Sequence, residues 1–278
     1  MENFEVSAFK QVRLGRKPLK STMRALSFVD FFKFVQIPIA QTYWKHKQPL
    51  PHRSFGNLMY GDCTRAKQAV AIERMERLEQ RRLVTITDEE VIRVYKSMSD
   101  RLYGGGDNGA YEDDALNEWR NPDLTIRDTS GHPYTIDAYL RIDAKNPDQI
   151  RAGLALAGAK GIAICINLPM AFSTINPPAV WDVPEGQPLT GPWEPGSWGG
   201  HSMWAQGYDS DVLYVDSTWE MDTHLISWRA VAAYVDEAHL VIDSVDAWRK
   251  RSPKAADRQG LGNVIDAVNA VSSIKIAA

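Results

Sequence analysis

The chain has 278 residues, is 44% hydrophobic and 24% charged, and carries a net charge of −3. That length holds one large domain or two small ones with a sizeable core, and the charge balance lacks the basic excess of a nucleic-acid partner. Two cysteines exclude a disulfide framework and fit a reducing compartment.

Residues 1–49 read as an N-terminal arm, punctuated by Pro and Lys, with one short helix near Ser27–Phe34. The first twenty residues show no apolar signal core. The run "LSFVDFFKFVQIPIA" is broken by Asp30 and Lys33 and is too short to span a bilayer. A cytoplasmic protein with no membrane partner is expected, without a secretory leader or a recognisable inhibitory propeptide.

The central domain is expected over 50–246. Its strongest helix signal runs from Thr64 to about Arg82. Ala66, Ala69, Val70, Ile72, Met75 and Leu78 form an apolar stripe, opposed by Lys67, Glu73, Arg74, Glu76, Arg77 and Glu79. Thr87 and Glu90 form a capping-box pattern that opens a second helix to about Leu102, which stops at "YGGGDNG". A third helix is expected across Asp113–Trp119.

Further along, "NPDQIRAGLALAGAKGIAICINLP" reads as a helix ending near Gly158 or Gly161 and then a buried strand containing Cys165. The stretch "NPPAVWDVPEGQPLTGPWEPGSWGG" is too rich in Pro and Gly for regular structure. Strands follow in "HSMWAQGYD", "VLYVDSTW" and "AHLVID", the last after a short helix at Trp228–Tyr234. Helices first and strands later make an α+β fold. Residues 247–278 read as a tail, basic and polar from Trp248, then weakly helical.

Cys63 stands in "GNLMYGDCTRAK", at the start of the long helix. A helix N-terminus favours a thiolate, the nucleophilic form, although a lone buried cysteine can equally be packing. Asp62 is placed as the helix N-cap, where its charge would oppose the thiolate. His201 follows two glycines in "GGHSMWAQGYD", and Asp216 ends the next strand. Adjacent antiparallel strands would set a carboxylate beside an imidazole and fix its orientation. Asn57 could turn towards Cys63 and donate to an oxyanion, or simply cap a local turn. The remaining histidines and the two cysteines show no metal-ligand spacing, so neither a metal nor a cofactor is expected.

In this order, the residues resemble the papain-like cysteine peptidases. In that family a cysteine opens the central helix, a glutamine six residues earlier builds the oxyanion hole, and a histidine strand precedes an Asn-Ser-Trp-Gly turn. Here Asn57 stands in the glutamine position, followed by Cys63, His201 and "DSTW", with His201 138 residues after Cys63 (201 − 63). A separation of roughly 130–150 is typical of the family.

The resemblance covers roughly residues 50–243. It implies a helical half carrying the nucleophile and an antiparallel β half. It further implies catalytic Cys63, His201, Asp216 and Asn57, with Trp219 shielding the histidine. Gly104 and Gly105 would bind substrate backbone, and Gly200 would leave a bare cleft wall. The expected activity is cleavage of peptide or amide bonds in a peptide or protein substrate through a Cys63 acyl-enzyme. The form G-N-x-x-x-G-D-C-T also resembles bacterial and phage-encoded proteins of this fold, which would make a virion-associated location an alternative. An aspartate at 216 keeps open a transglutaminase-like amide-transfer enzyme. A silent papain-like fold used as a binding or virion component is the non-enzyme alternative.

Overall fold

The computed structural model describes residues 12–19, 26–32, 50–157 and 160–243. The expected C-terminal tail and its helix lie outside these residues. The described part of the arm holds one helical turn, α1 (Phe28–Phe31), whose Phe28 is buried.

The helical half contains α2 (Cys63–Met75), continued by a π-turn over Glu76–Gln80, then α3 (Asp88–Tyr103) and α4 (Glu112–Trp119). The Thr87 hydroxyl accepts from the Glu90 amide at 3.2 Å and caps α3. The Glu90 carboxylate, the other half of the expected box, instead accepts from the Arg127 amide. Gly104 ends α3 at φ 77°, a left-handed conformation that suits glycine.

The other half is built on β1 (Ala138–Ile142), α5 (Pro147–Ala157), β2 (Ile162–Leu168), β3 (Val180–Trp181), β4 (Gly199–Tyr208), β5 (Val212–Asp216), β6 (His224–Ser227), α6 (Trp228–Tyr234) and β7 (Val235–Ile242). They form a seven-stranded sheet in the order β1-β7-β2-β4-β5-β6-β3. Every pairing is antiparallel except β3 with β6. The fold is α+β.

Three strands had no expectation in the sequence. β1 and β6 are short, and β3 lies inside the Pro- and Gly-rich loop; β1 and β3 are held by partners distant in sequence, and β6 by the neighbouring β5 as well as β3.

Strand alternation separates two interiors. On one face, Ile162, Ile164, Ile166 and Leu168 of β2 join Met203, Ala205, Leu240 and Ile242 in an apolar core. On the other, Ala163, Trp204 and Val241 pack against Ala66, Ala69, Val70 and Ile72 of α2.

α2 departs from expectation. It is not a surface helix with one wet face, because all thirteen of its residues are buried. Its polar residues are covered because other elements supply partners: Arg65 pairs with Glu118, Lys67 with Glu112, and Glu73 with Arg53.

Candidate active site

Cys63 is the first residue of α2 and is fully buried. Asp62 occupies the N-cap position, but its carboxylate makes no capping hydrogen bond, so the expected cap is absent. Burial drives the Asp62 carboxyl well above its ordinary range, which favours the neutral acid and weakens its opposition to a thiolate. Burial likewise pushes the Cys63 thiol up to about 12, the backbone of Ser202 and of Gly15 opposing. In this state Cys63 is a thiol.

Ser202 is the residue after His201, so β4 passes the head of α2 one residue from the histidine. His201 Nε2 lies 2.7 Å from the Ser217 carbonyl oxygen. A carbonyl only accepts, so Nε2 carries the hydrogen and Nδ1 holds the lone pair. Nδ1 is buried and has no hydrogen-bond partner. Trp219 stacks on the imidazole with centroids 4.3 Å apart and an interplanar angle of 25°. Burial pushes His201 down to about 4, the Ser217 carbonyl opposing.

Asp216 is not the partner of His201. Its carboxylate accepts from His52 Nδ1 at 3.0 Å and from the Thr218 amide at 2.9 Å. The register explains this. β4 and β5 do pair, but Asp216 lies opposite Trp204, where β5 ends, and the turn that follows, with Thr218 at φ 59°, brings the Ser217 carbonyl and Trp219 to His201. The usable signal was the tryptophan. Counting back two residues from Trp219, as in Asn-Ser-Trp, reaches Ser217 rather than Asp216. His52, in the segment leading to Cys63, carried no signal of its own.

Asn57 is buried in the turn before Cys63. Its Nδ2 donates to the Tyr60 carbonyl at 3.1 Å and reaches the Arg13 carbonyl at 3.4 Å. Its Oδ1 accepts from the Thr218 hydroxyl at 2.9 Å. The side chain therefore caps its own turn, ties the two halves together and also presents N–H to a carbonyl lying in the cleft.

That carbonyl belongs to the arm. Residues 12–19 run as an extended strap between the halves. The Arg13 amide donates to the Asn57 carbonyl, Ala110 to Gly15, Lys17 to Ala110, and Arg16 to Gly200. Gly15 crosses above Cys63 so closely that a Cβ there would lie 1.8 Å from the Gly61 carbonyl oxygen, and only glycine passes.

The cleft-lining glycines are also redistributed. A Cβ on Gly104 would meet nothing, and one on Gly105 would meet only the Asp100 side chain. Gly109 and Ala110 meet the strap instead. Gly200 does line the cleft, its carbonyl accepting from Arg16.

One buried group, Asp113, Glu237 and His239, has the spacing of metal ligands. Its carboxylates are already engaged, Asp113 by Arg141 and Glu237 by Arg16. No helix among the described residues is long and apolar enough to cross a membrane.

No protein-family model and no curated protein matches the sequence. Solved structures do match. Xylellain, a cysteine protease from Xylella fastidiosa, is 15% identical with a TM-score of 0.63, over 87% of this chain and 100% of that one. The Carica candamarcensis cysteine protease CMS1MS2, in complex with E-64, is 15% identical with a TM-score of 0.54, over 75% of this chain and 100% of that one. The ragweed pollen allergen Amb a 11, a cysteine protease in its proform, is 15% identical with a TM-score of 0.57, over 81% of this chain and 63% of that one. At these identities the likeness establishes the fold.

Proposed function

We propose that this chain is a cysteine-dependent hydrolase that cleaves peptide or amide bonds, held covered by its own residues 12–19. One observation carries the reading. Cys63 opens α2, the backbone of Ser202 acts on its thiol, and Ser202 directly follows a histidine whose Nε2 is tied down and whose buried Nδ1 has no hydrogen-bond partner.

The chemistry follows from those atoms. His201 Nδ1 takes the thiol proton as Cys63 attacks a carbonyl carbon, and the imidazolium then protonates the leaving amine. The Ser217 carbonyl holds the ring and stabilises its charge, the task a side-chain amide or carboxylate performs elsewhere. The Cys63 amide and Asn57 Nδ2 supply the oxyanion donors. The fold shared with the cysteine proteases above supports the same class. The strap must leave before substrate enters. Water then reaches both groups, lowering the thiol pKa and raising that of the imidazole. Asp216 is engaged by His52, which favours this reading over a transglutaminase-like enzyme.

A peptidyl chloromethyl ketone tests the reading, with the modified residue identified by peptide mass. Label is expected on Cys63, abolished by Cys63→Ala and retained in Cys165→Ala. Label on Cys165, which is buried and whose thiol burial drives well above its ordinary range, would overturn it. Asn57→Ala should lower the labelling rate on the order of 100- to 1000-fold. If it lowers only thermal stability, Asn57 is a turn cap alone.

A further inference from the structure

The strap does more than cover the thiol. Gly15 packs backbone to backbone against Gly61, just before Cys63, and against Gly109, and the next residue, Arg16, sends its side chain into a pocket in the sheet half. The guanidinium donates to Asn167 Oδ1 at 2.9 Å, to Asp236 Oδ2 at 2.7 Å and to Glu237 Oε1. The Arg16 side chain is entirely buried there. Asn167 Nδ2 in turn donates to Asp236 at 3.0 Å and fixes that carboxylate. All three acceptors belong to β2 and β7, which pair with each other inside the sheet.

We infer that Asn167, Asp236 and Glu237 form a recognition pocket for a basic side chain of the peptide substrate, arginine above lysine, and that Arg16 is its intramolecular occupant. The inference rests on the peptidase reading and names its substrate class. Two adjacent carboxylates in a largely covered pocket are costly without a cation. Even beside Arg16, burial holds Glu237 up at about 7. When the strap leaves, a substrate arginine restores both charge-assisted contacts. A planar guanidinium spans three acceptors at once, whereas an ammonium is a single compact charge. Gly200 supplies the room: a Cβ there would lie 2.5 Å from the Arg16 carbonyl oxygen, so the chain carrying the basic residue lies directly against β4. The strap pairs with Ala110 in the parallel sense, and the pocket's acceptors surround the guanidinium rather than the backbone. They would therefore serve a peptide of either direction.

The test uses the full chain carrying Arg16→Ala, which empties the pocket. Arg16→Met, which retains the aliphatic stem, replaces it if that variant does not fold. Acetyl-Arg-Gly-chloromethyl ketone is compared with its citrulline counterpart, which has the same shape without the charge. The Arg probe should label Cys63 at least about 10-fold faster, as expected for a charge-assisted contact, and Glu237→Gln added to the variant should close the gap. Equal rates for the two probes would overturn the pocket while leaving the peptidase reading intact. If neither probe labels Cys63, the peptidase reading fails. The pocket is then judged by thermal shift of the Cys63→Ala/Arg16→Ala chain with acetyl-Arg-Gly-amide. Stabilisation by the Arg peptide and not the citrulline peptide supports it, and equal or absent shifts overturn it.

Discussion

In the sheet half, β2 presents Ile162, Ile164, Ile166 and Leu168 to an apolar core, whereas in the helical half α2 buries Arg65, Lys67, Gln68, Glu73 and Arg74 beside its alanines. The first interior is held by removal of hydrocarbon from water, which is non-directional and nearly indifferent to pH. The second is held by pairs that must each be complete. Lys67 donates to Glu112, which also accepts from the Ser202 hydroxyl at 2.8 Å. Gln68 donates to the Thr125 hydroxyl at 2.9 Å and accepts from Arg65 at 2.7 Å. Cys63 stands on the ionic half and His201 on the strands of the other. The comparison teaches that the first turn of α2, and with it Cys63, is positioned by directional contacts, while the imidazole is positioned by a rigid apolar scaffold.

The largest expected effect comes from breaking one pair. Lys67→Met leaves Glu112 buried without its cation and should cost about 3–5 kcal/mol in urea unfolding. Lys67→Met with Glu112→Leu should recover much of that loss. The pair also sets a pH dependence. Burial alone would raise the Glu112 carboxyl, but Lys67, His239 and Ser202 outweigh it and hold it below its ordinary value. Its contribution is therefore present above the unfolded pKa of about 4.3 and is lost as pH falls through the lower folded value. Lys67→Met should flatten that acid limb. A loss under about 1 kcal/mol, or an unchanged acid limb, would erase the contrast between the halves.

On the apolar side, Ile164→Ala should cost about 2–5 kcal/mol through transfer and cavity terms. Its stability curve should run parallel to the parent's from acid to neutral pH. A change in the acid limb would mean that the sheet core is coupled to the ionic network, and the comparison would need redrawing.

The smallest effect is expected where the halves meet at the mouth of the cleft. A hydrogen bond from His52 to Asp216 raises the His52 pKa, outweighing burial. Its stabilisation is full below the unfolded value of about 6.5 and fades as pH rises through the higher folded value. His52→Ala should therefore lower the melting temperature more at pH 5.5 than at pH 8.5. It should leave the Cys63 labelling rate within a few-fold of the parent, since His201 is oriented by Ser217. A loss of labelling comparable to Cys63→Ala would return Asp216 to the catalytic apparatus.

Local signals in the chain were readable because they depend on neighbours a few residues away. The α3 cap at Thr87, its stop at Gly104 and the bounds of α6 at Trp228–Tyr234 all lie where the sequence places them. Cys63 opening α2 and His201 on β4 were legible for the same reason. The polar face of α2 was misread because its charges look solvated until Glu112 and Glu118, 45 and 53 residues away in the chain, are brought onto them.

By itself, the sequence determined the helices and the main strands, with Cys63 at the start of α2 and His201 on β4, since periodicity, caps and turn residues act over a few positions. Only the tertiary structure decided which atom holds His201, because strand register sets Asp216 against Trp204 and leaves the imidazole to the Ser217 carbonyl. It alone decided that residues 12–19 lie over Cys63 and that Arg16 meets Asp236 and Glu237, contacts spanning 220 and 221 positions. Pairings of that range leave no trace in local pattern. They arise when burial forces each charge to find a partner and the chain happens to supply one from its far end.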